Sequence, residues 1–335
     1  MPPLRSAAQE VVRIMRAVVF EAFQTFPELK EVERPTPGPG EVLLKIAGAG
    51  ACHSDVGIFH DFNYRYYFTG SPTFPKSYYD MICREMPVWL ARSTPVVSTH
   101  FMAGELAKFY PEHAHRVEVV HLAAMSVVSQ IAEGEDRRIV TEDLGIRKDY
   151  ILYPTNPSAH KNLGPLLAAI PRLRAMGHDV CLVLTGPGME RMNGHACGIG
   201  VELGFGEQDV FGLGYVSNMQ MDALIQRASV VVSTSLYEAG NGPGIDAWAR
   251  GVPVAMSNIP AFIEHLEVQG VKAAVFDPRS PEDIAQQIHP ILADPARAKA
   301  DAIASQQALS RFTWEQTARK YLAVFDKAIE GARRG

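Results

Sequence analysis

Two carboxylates frame a glycine-rich stretch late in the sequence. Glu238 and Asp246 stand eight positions apart, with Gly240-Asn241-Gly242 between them and Pro243 next. Proline is favoured at the first position of a helix, so a helix is predicted to begin here with free backbone N–H groups at its start. Helix N-termini bind anions, and carboxylates accept hydrogen bonds from hydroxyl groups. The stretch is therefore suited to a ligand that carries both phosphate and sugar hydroxyls.

A cation and a tight loop follow two earlier predicted strands. Lys161 comes after the strand 150–153, at the start of a helix. A lysine there is unhelpful to the helix dipole but suits a bound anion. Gly186 and Gly188 follow the strand 180–184, in a loop that lets a ligand approach the backbone. Ligands of open α/β sheets bind beyond the carboxyl ends of the strands, so these groups are candidates for one site.

The elements that must position these groups alternate between strand and helix from about residue 77 onward. The apolar run 180–184 is typical of a strand buried on both faces of a parallel sheet. Repeated strand–helix units predict an α/β fold with an open, Rossmann-like parallel sheet in the C-terminal part. Further strands are predicted at 94–98, 117–120, 150–153, 209–213, 229–233, 252–256 and 273–276. The N-terminal residues instead predict short antiparallel strands, at 17–20, 28–33 and 41–47.

The composition excludes several classes of protein. The chain has 335 residues, 47% hydrophobic and 21% charged, which is ordinary for a globular protein of about two domains. Its net charge of -5 disfavours a dedicated nucleic-acid binder, and we expect no nucleic-acid partner. No apolar run is long enough to span a membrane, and the first residues lack a signal-peptide core. Four cysteines without a CxxC pair make no disulfide framework, so a cytoplasmic, reduced location is expected.

From about residue 60 to 330 the chain resembles the retaining family-4 (group 1) glycosyltransferases, which have the GT-B fold. The glycine-rich stretch is similar to the donor-binding region of that family, with its E-x7-E signature present as Glu238-x7-Asp246. Further motifs of the family occur in the same order, at His160-Lys161-Asn162, at Leu-Thr-Gly-Pro-Gly after the strand 180–184, at Gly214–Ser217 and at Val275–Pro278. The resemblance is strongest from 150 to 280.

The resemblance implies a role for each matching residue. Lys161 would pair with the donor diphosphate, which the amides of Gly240, Asn241 and Gly242 would cradle together with the sugar. Glu238 would bind hydroxyls of the transferred sugar, whereas Asp246 would hold the ribose. Three further positions complete the implied site: Tyr215 and Val216 near the base, and His60 in a loop that faces the donor sugar.

Two positions depart from the family pattern. Many members carry an arginine five positions before the lysine, where this chain has Asn156, so one phosphate-binding charge is missing. Asp246 stands where the family has glutamate, which shortens the side chain by one methylene. The resemblance implies a nucleotide-diphosphate sugar as donor, no cofactor and no metal. It also implies a saccharide or lipid-linked acceptor, with peripheral membrane contact as a further expectation.

The N-terminal segment 15–58 resembles a different family, the zinc-dependent medium-chain alcohol dehydrogenases. Cys52-His53-Ser54-Asp55 is similar to the motif whose cysteine binds the catalytic zinc. A catalytic zinc takes three protein ligands, and this stretch offers one. The family's later zinc ligands and its glycine-rich dinucleotide motif do not follow. The sequence is therefore interpreted as a chimera of two families.

These observations predict the following organisation. We expect a dehydrogenase-like (GroES-like) fragment at 1–58, a truncated GT-B N-terminal domain at 59–125, a linker at 126–149, a nucleotide-sugar domain at 150–295 and C-terminal helices at 296–335. The predicted activity is transfer of a hexosyl unit, for which mannosyl is one candidate, to an acceptor hydroxyl with retention of configuration. Two alternatives stay open: a zinc- and NAD(P)-dependent dehydrogenase-like protein, and a non-catalytic fusion that binds nucleotide sugar.

Overall fold

The computed structural model describes residues 14–19, 28–33, 56–59, 61–67, 76–124, 131–132, 134–193 and 202–334. The chain forms two compact units, residues 1–52 and 53–335. In the first unit, strand β1 (Ile14–Val19) pairs antiparallel with β2 (Glu28–Glu33). This pair confirms the predicted antiparallel strands in that region, whereas the predicted strand 41–47 lies outside the described residues.

The second unit begins with a small parallel sheet in the order β3-β4-β5. Its strands are β3 (Val56–Ile58), β4 (Thr94–Val97) and β5 (Glu118–Val119). The helices of this region are α1 (Tyr64–Tyr67), α2 (Lys76–Arg92) and α3 (His100–Phe109), and a 3₁₀ turn (Pro111–Arg116) precedes β5. Helix α3 begins at a capping threonine, because Thr99 Oγ1 accepts the N–H of Met102 at 3.2 Å.

The larger sheet has six parallel strands in the order β11-β10-β9-β6-β7-β8. Its strands are β6 (Asp149–Pro154), β7 (Val180–Thr185), β8 (Val210–Gly212), β9 (Val230–Ser233), β10 (Val254–Ser257) and β11 (Ala274–Phe276). The helices that accompany it are α4 (Glu135–Arg138), α5 (Leu163–Ala175), α6 (Asn218–Arg227), α7 (Gly242–Ala249), α8 (Pro260–Gln269), α9 (Pro281–Ala293), α10 (Pro295–Leu309) and α11 (Trp314–Arg334). Each predicted strand from residue 94 onward is present, so the parallel-sheet prediction is confirmed.

Both faces of the larger sheet are buried, as its uninterrupted apolar strands predict. Along β7, Cys181 and Val183 belong to one hydrophobic cluster, and Leu182 and Leu184 to another. Successive side chains of a strand point to opposite faces, so the two clusters lie on opposite sides of the sheet. Every residue of β7 is buried. This double burial places β7 in the interior of the domain, with its ends leading to the surface loops.

The described part of the predicted linker 126–149 contains regular structure. Residues 134–149 contain helix α4 and a turn of π-helix (Ile139–Asp143). Ile139, Val140 and Ile146 are at most 2% exposed and pack in a core cluster of the larger sheet. The apolar residues of this stretch are too few and too irregularly spaced to show a helical period in the sequence.

The last helix, α11, returns to the small sheet. Val324 of α11 is buried against Val96 and Val120. The start of α11 is held by two hydrogen bonds, from Trp314 Nε1 to the carbonyl of Ala124 at 2.6 Å and from Thr317 Oγ1 to the carbonyl of His121 at 3.2 Å. Helix α11 therefore packs against the small sheet, which lies in the first part of the second unit. Within the described ranges, no helix is both long and apolar enough to cross a membrane.

Candidate functional site

The strand order brings the loops after β6, β7 and β9 side by side. These strands are neighbours or next neighbours in one parallel sheet, so their carboxyl ends share an edge. Lys161 ends the short 3₁₀ helix (Ala159–Lys161) after β6, and Glu238 lies in the loop after β9. Lys161 Nζ donates to Glu238 Oε1 at 2.5 Å, with the two side chains 21% and 18% exposed. The structure thus joins the two ionic residues that the sequence singled out.

The backbone beneath this pair is tied to the loop after β6. Leu236 donates its N–H to the carbonyl of His160 at 2.7 Å. Tyr153 Oη donates to the carbonyl of Lys161 at 2.9 Å and lies 3.2 Å from Ser235 Oγ. These bonds fix the separation of the two loops at the point where Lys161 and Glu238 meet.

The region around the small sheet holds the Glu238 loop from the other side. Thr99 Oγ1 and Ser98 Oγ both donate to the carbonyl of Ala239, at 3.1 and 3.3 Å. Tyr237 Oη donates to the carboxylate of Glu105 at 3.2 Å. The residues before and after Glu238 are therefore both anchored to the segment 98–105. The sequence did not single out this segment; its only signal was a Ser-Thr pair directly after a predicted strand.

A cavity of about 200 Å³ lies beside the ion pair. Lys161, Glu238, Gly240, Gly242 and other residues line it, and its wall includes the start of α7. This volume is below the range of about 300–1,000 Å³ for ordinary ligand pockets. The cavity can hold a phosphate or one sugar ring, and a larger ligand must extend over the neighbouring loops.

Asn241 has a different role from the predicted one. Its Oδ1 accepts the N–H of Gly244 at 3.0 Å, which caps α7, and the hydroxyl of Ser233 at 2.9 Å. Its backbone N–H, expected to cradle phosphate, donates to His265 Nε2 at 2.9 Å. In this structure the buried imidazole of His265, on the next helix α8, accepts this N–H, so a phosphate that binds the amide would have to displace it. His265 could not be identified from the sequence, since nothing local relates it to Asn241.

Five other predicted residues lie outside the lining of this cavity. Asp246 is half-buried on α7, one turn before Arg250, whose side chain donates to the carbonyl of Asp246 at 2.9 Å. Gly186 and Gly188 follow β7, while Tyr215, 83% exposed, and Val216 follow β8 at the same edge of the sheet. His60 lies outside the described residues.

Asn156, which replaces the family's arginine, shapes its own loop. Its Oδ1 accepts the N–H of Ser158 at 3.0 Å. Asparagine side chains commonly form such turns with the backbone two residues on. This contact gives Asn156 a local structural role before Lys161, and the cationic character at this point of the site rests on Lys161.

Burial sets the charge of the two imidazoles near the ion pair. Burial lowers the pKa of His160, although the nearby Glu238 carboxylate works in the opposite direction. Burial also lowers the pKa of His265, so that its Nε2 stays available to accept the N–H of Asn241. Among the described residues of the lining, Glu238 and His265 are the ones with metal-ligand side chains. A catalytic zinc takes three protein ligands, and these two side chains alone do not make such a site, whereas Mg²⁺ commonly takes one or two carboxylates together with substrate phosphates.

Comparison with known proteins finds a family match in the C-terminal part of the chain. Residues 148–294 match the family model described as glycosyl transferases group 1. Among curated proteins, an uncharacterized glycosyltransferase of Methanocaldococcus jannaschii is 26% identical over 58% of this chain and 50% of its own length. The MMP alpha-(1->4)-mannosyltransferase of Mycolicibacterium hassiacum is 25% identical over 73% of this chain and 57% of its own. The chain thus spans about half the length of these relatives.

A short stretch matches a second kind of protein. A putative alcohol dehydrogenase D of Mycobacterium tuberculosis is 58% identical over 42 residues, which is 12% of this chain and 11% of that protein. This similarity is partial on both sides. It agrees with the resemblance noted in the N-terminal sequence, but it covers too little of either chain to extend an activity to this one.

Solved structures show the fold. A glycosyltransferase from Rickettsia africae superposes with a TM-score of 0.64 at 17% identity, covering 82% of this chain and 70% of that one. HepE of Anabaena, solved with UDP-glucose, superposes with a TM-score of 0.62 at 16% identity, covering 82% and 72%. The predicted GT-B-like fold is confirmed by these superpositions. The family model and the relatives thus make residues 148–294 similar to the group 1 glycosyltransferases, and the solved structures show that the fold is shared.

Proposed function

We propose that the chain is a retaining glycosyltransferase that binds a nucleotide-diphosphate sugar beside α7. One observation carries the proposal: Lys161 and Glu238 meet at the edge of a cavity whose wall includes the start of a helix. A cation and a helix N-terminus attract phosphate, and a carboxylate at the rim accepts hydrogen bonds from sugar hydroxyls. These are the two chemical halves of a nucleotide sugar.

Donor binding would exchange one partner of Lys161 for another. The diphosphate would take the ammonium group that Glu238 holds in this structure. Glu238, released from that contact, would then accept hydrogen bonds from hydroxyls of the transferred sugar. Gly240 and Gly242 line the cavity without side chains, so phosphate oxygens could approach their backbone. Charge that develops on the departing nucleotide would be stabilised by Lys161 and by the start of α7.

The rest of the donor would lie over the adjoining loops. The family resemblance assigns the ribose to Asp246, the base to Tyr215 and Val216, and close backbone approach to Gly186 and Gly188. The cavity is too small for a whole nucleotide sugar, which supports an extended pose. The relatives support a hexosyl donor, since one is named as a mannosyltransferase and a structural neighbour was solved with UDP-glucose. The acceptor would be a saccharide or a lipid-linked hydroxyl, and no cofactor is required.

A calorimetric titration of the full chain tests donor binding. GDP-mannose, UDP-glucose and NAD are the ligands, and Lys161→Ala and Glu238→Ala are the variants. Lys148→Ala is the matched control. Lys148 also forms an ion pair, with Asp179, but both residues lie at the amino ends of β6 and β7, away from the cavity. We expect one nucleotide sugar to bind, with affinity lost in Lys161→Ala and kept in Lys148→Ala. Binding of NAD alone would support the dehydrogenase alternative and contradict the proposal.

A second assay separates transfer from mere binding. Release of nucleoside diphosphate from the bound donor is followed with simple saccharides as acceptors. Release that depends on acceptor and disappears in Glu238→Ala is the expected result, and the anomeric configuration of the product decides between retention and inversion. Tight binding without acceptor-dependent release would favour the non-catalytic fusion.

A further inference from the structure

Two histidines and a glutamate from distant parts of the chain meet outside the cavity described above. His100 is the first residue of α3, His121 follows β5, and Glu264 lies on α8. One nitrogen of each histidine and one carboxylate oxygen of Glu264 all lie within 4.8 Å of one another. We propose that these three side chains bind a divalent metal ion that joins the small sheet region to α8.

The carboxylate of Glu264 is held in one orientation. Oε1 accepts the backbone N–H of His100 at 2.7 Å, and Oε2 accepts the backbone N–H of Phe101 at 2.9 Å. His121 Nε2 lies 2.8 Å from Oε1. A carboxylate can accept about four hydrogen bonds, so the two backbone N–H groups leave room for an ion, which would replace the present contact with His121 Nε2. Outer hydrogen bonds of this kind orient metal-binding carboxylates and histidines in known sites.

The two imidazoles need only a small movement to complete the set. In a tetrahedral zinc site, ligand atoms about 2.05 Å from the metal are about 3.3 Å apart. His121 and Glu264 are already closer than this, and a slight separation admits the ion between them. His100 is exposed, and its ring centroid is 5.4 Å from that of His121. Because His100 is exposed, rotation of its side chain can bring a nitrogen to the ion without disturbing the core.

The ligand types decide which ion is suited. Two imidazoles and one carboxylate are ligands for zinc and similar first-row ions such as Co²⁺, rather than for the all-oxygen sites of Ca²⁺ or Mg²⁺. An open cleft lies beside the cluster, lined by His100, Glu264, Glu267 and apolar residues of α8. The cleft supplies an entry path and space for a water as the fourth ligand. The carboxylate of Glu267 adds negative charge along that path.

The position of the ion points to a structural role. His100, His121 and Glu264 do not line the cavity beside Lys161, so the metal would not touch the donor. The ion would instead link three elements, namely the start of α3, the segment directly after β5 and helix α8. His121 and Glu264 are separated by 143 positions in sequence, which is why the spacing of residues gave no sign of the site.

Titration of the metal-free full chain with Co²⁺, followed by visible absorption, tests the proposal. Tetrahedral nitrogen–oxygen coordination gives strong bands, and Zn²⁺ should displace the Co²⁺. Removing a direct ligand should cost more than the roughly 10–100-fold loss known for outer hydrogen-bond partners. We therefore expect His100→Ala and His121→Ala to weaken binding by more than about tenfold.

His115→Ala is the matched control, because His115 is also exposed and lies in the same region. Binding should be unchanged in this variant. Circular dichroism checks folding, and if His121→Ala does not fold, the exposed His100→Ala decides alone. Absence of binding, binding that survives in His100→Ala, or loss of binding in His115→Ala would each overturn the proposal. The outcome does not depend on whether a nucleotide sugar binds.

Discussion

Tyr237 donates its hydroxyl to Glu105 at 3.2 Å, across 132 positions of sequence. Glu105 is 7% exposed and also accepts the hydroxyl of Tyr66 at 2.6 Å, while the Tyr66 and Tyr237 rings lie 5.1 Å apart. Tyr237 immediately precedes Glu238 in the chain. The small sheet region thus fixes the backbone that presents the carboxylate of the candidate site.

Replacing Tyr237 by phenylalanine should weaken this anchor. A hydrogen bond to a charged group contributes about 1.5–3 kcal/mol. The loss in the variant should be smaller than this maximum, because Tyr66 and Lys108 still contact the carboxylate of Glu105. We expect Tyr237→Phe to lower the free energy of unfolding by about 1–2 kcal/mol in urea denaturation. Tyr215→Phe is the control, because Tyr215 is 83% exposed and should change stability by less than about 0.5 kcal/mol. Equal effects of the two variants would mean that the bond contributes nothing.

The buried imidazole of His265 should make stability depend on pH. Burial lowers its pKa below the ordinary value of 6.5, so below about pH 6.5 the unfolded chain binds more protons than the folded one. The contribution of His265 is complete above that pH and decreases as the pH falls towards the folded-state pKa. The slope for this group is at most about 1.4 kcal/mol per pH unit.

His265→Gln isolates this effect. Urea denaturation between about pH 8 and pH 5.5 avoids the titration of ordinary carboxyls. His160 and His178 also have pKa values lowered by burial, and they add the same slope to both proteins. We expect the wild type to lose more stability than the variant over this range. Parallel curves would show that His265 accepts a proton in the folded state as readily as in the unfolded one.

The sequence predicted the strands and helices but not the partners of the site loop. Apolar runs and their turns are local signals, so the strands β6 to β11 were predicted, whereas their order and the contact of Lys161 with Glu238 are seen only in the structure. The contact of Tyr237 with Glu105 and that of Asn241 with His265 join residues on different elements. Such pairs depend on how helices pack, which no local pattern records. Residues 134–149 show no clear helical period for a related reason, because their few apolar side chains pack against residues that are distant in sequence.

Gly186 tests whether a predicted donor residue is required by the fold itself. Its φ is +117°, and a Cβ there would lie 2.0 Å from the carbonyl oxygen of Thr155. We expect Gly186→Ala to lower the free energy of unfolding by more than about 1 kcal/mol, because both the φ value and the contact oppose a side chain. Gly104→Ala should raise it by about 0.5–1 kcal/mol, since Gly104 lies inside α3 with nothing within 4 Å of its Cβ position. A Gly186→Ala protein of normal stability that fails to bind nucleotide sugar would assign this glycine to the ligand alone.

Removing one partner of the buried ion pair between Arg250 and Asp222 should destabilise the protein more than removing both charges. Their side chains are 1% and 4% exposed, so Arg250→Met leaves a carboxylate buried without its cation. Such a loss costs about 3–5 kcal/mol, whereas exposed pairs contribute about 0–1 kcal/mol. Arg319→Met is the matched control, because Arg319 and Glu315 are 74% and 75% exposed.

The double variant Arg250→Met/Asp222→Asn decides the physical cause. If the buried charge is responsible, neutralising Asp222 should make the double variant more stable than Arg250→Met alone in urea denaturation. If it is instead less stable, the loss arises from packing or from the bond of Arg250 to the carbonyl of Asp246. That second result would place Arg250 among the residues that hold α7, and with it Asp246, in position for the proposed donor.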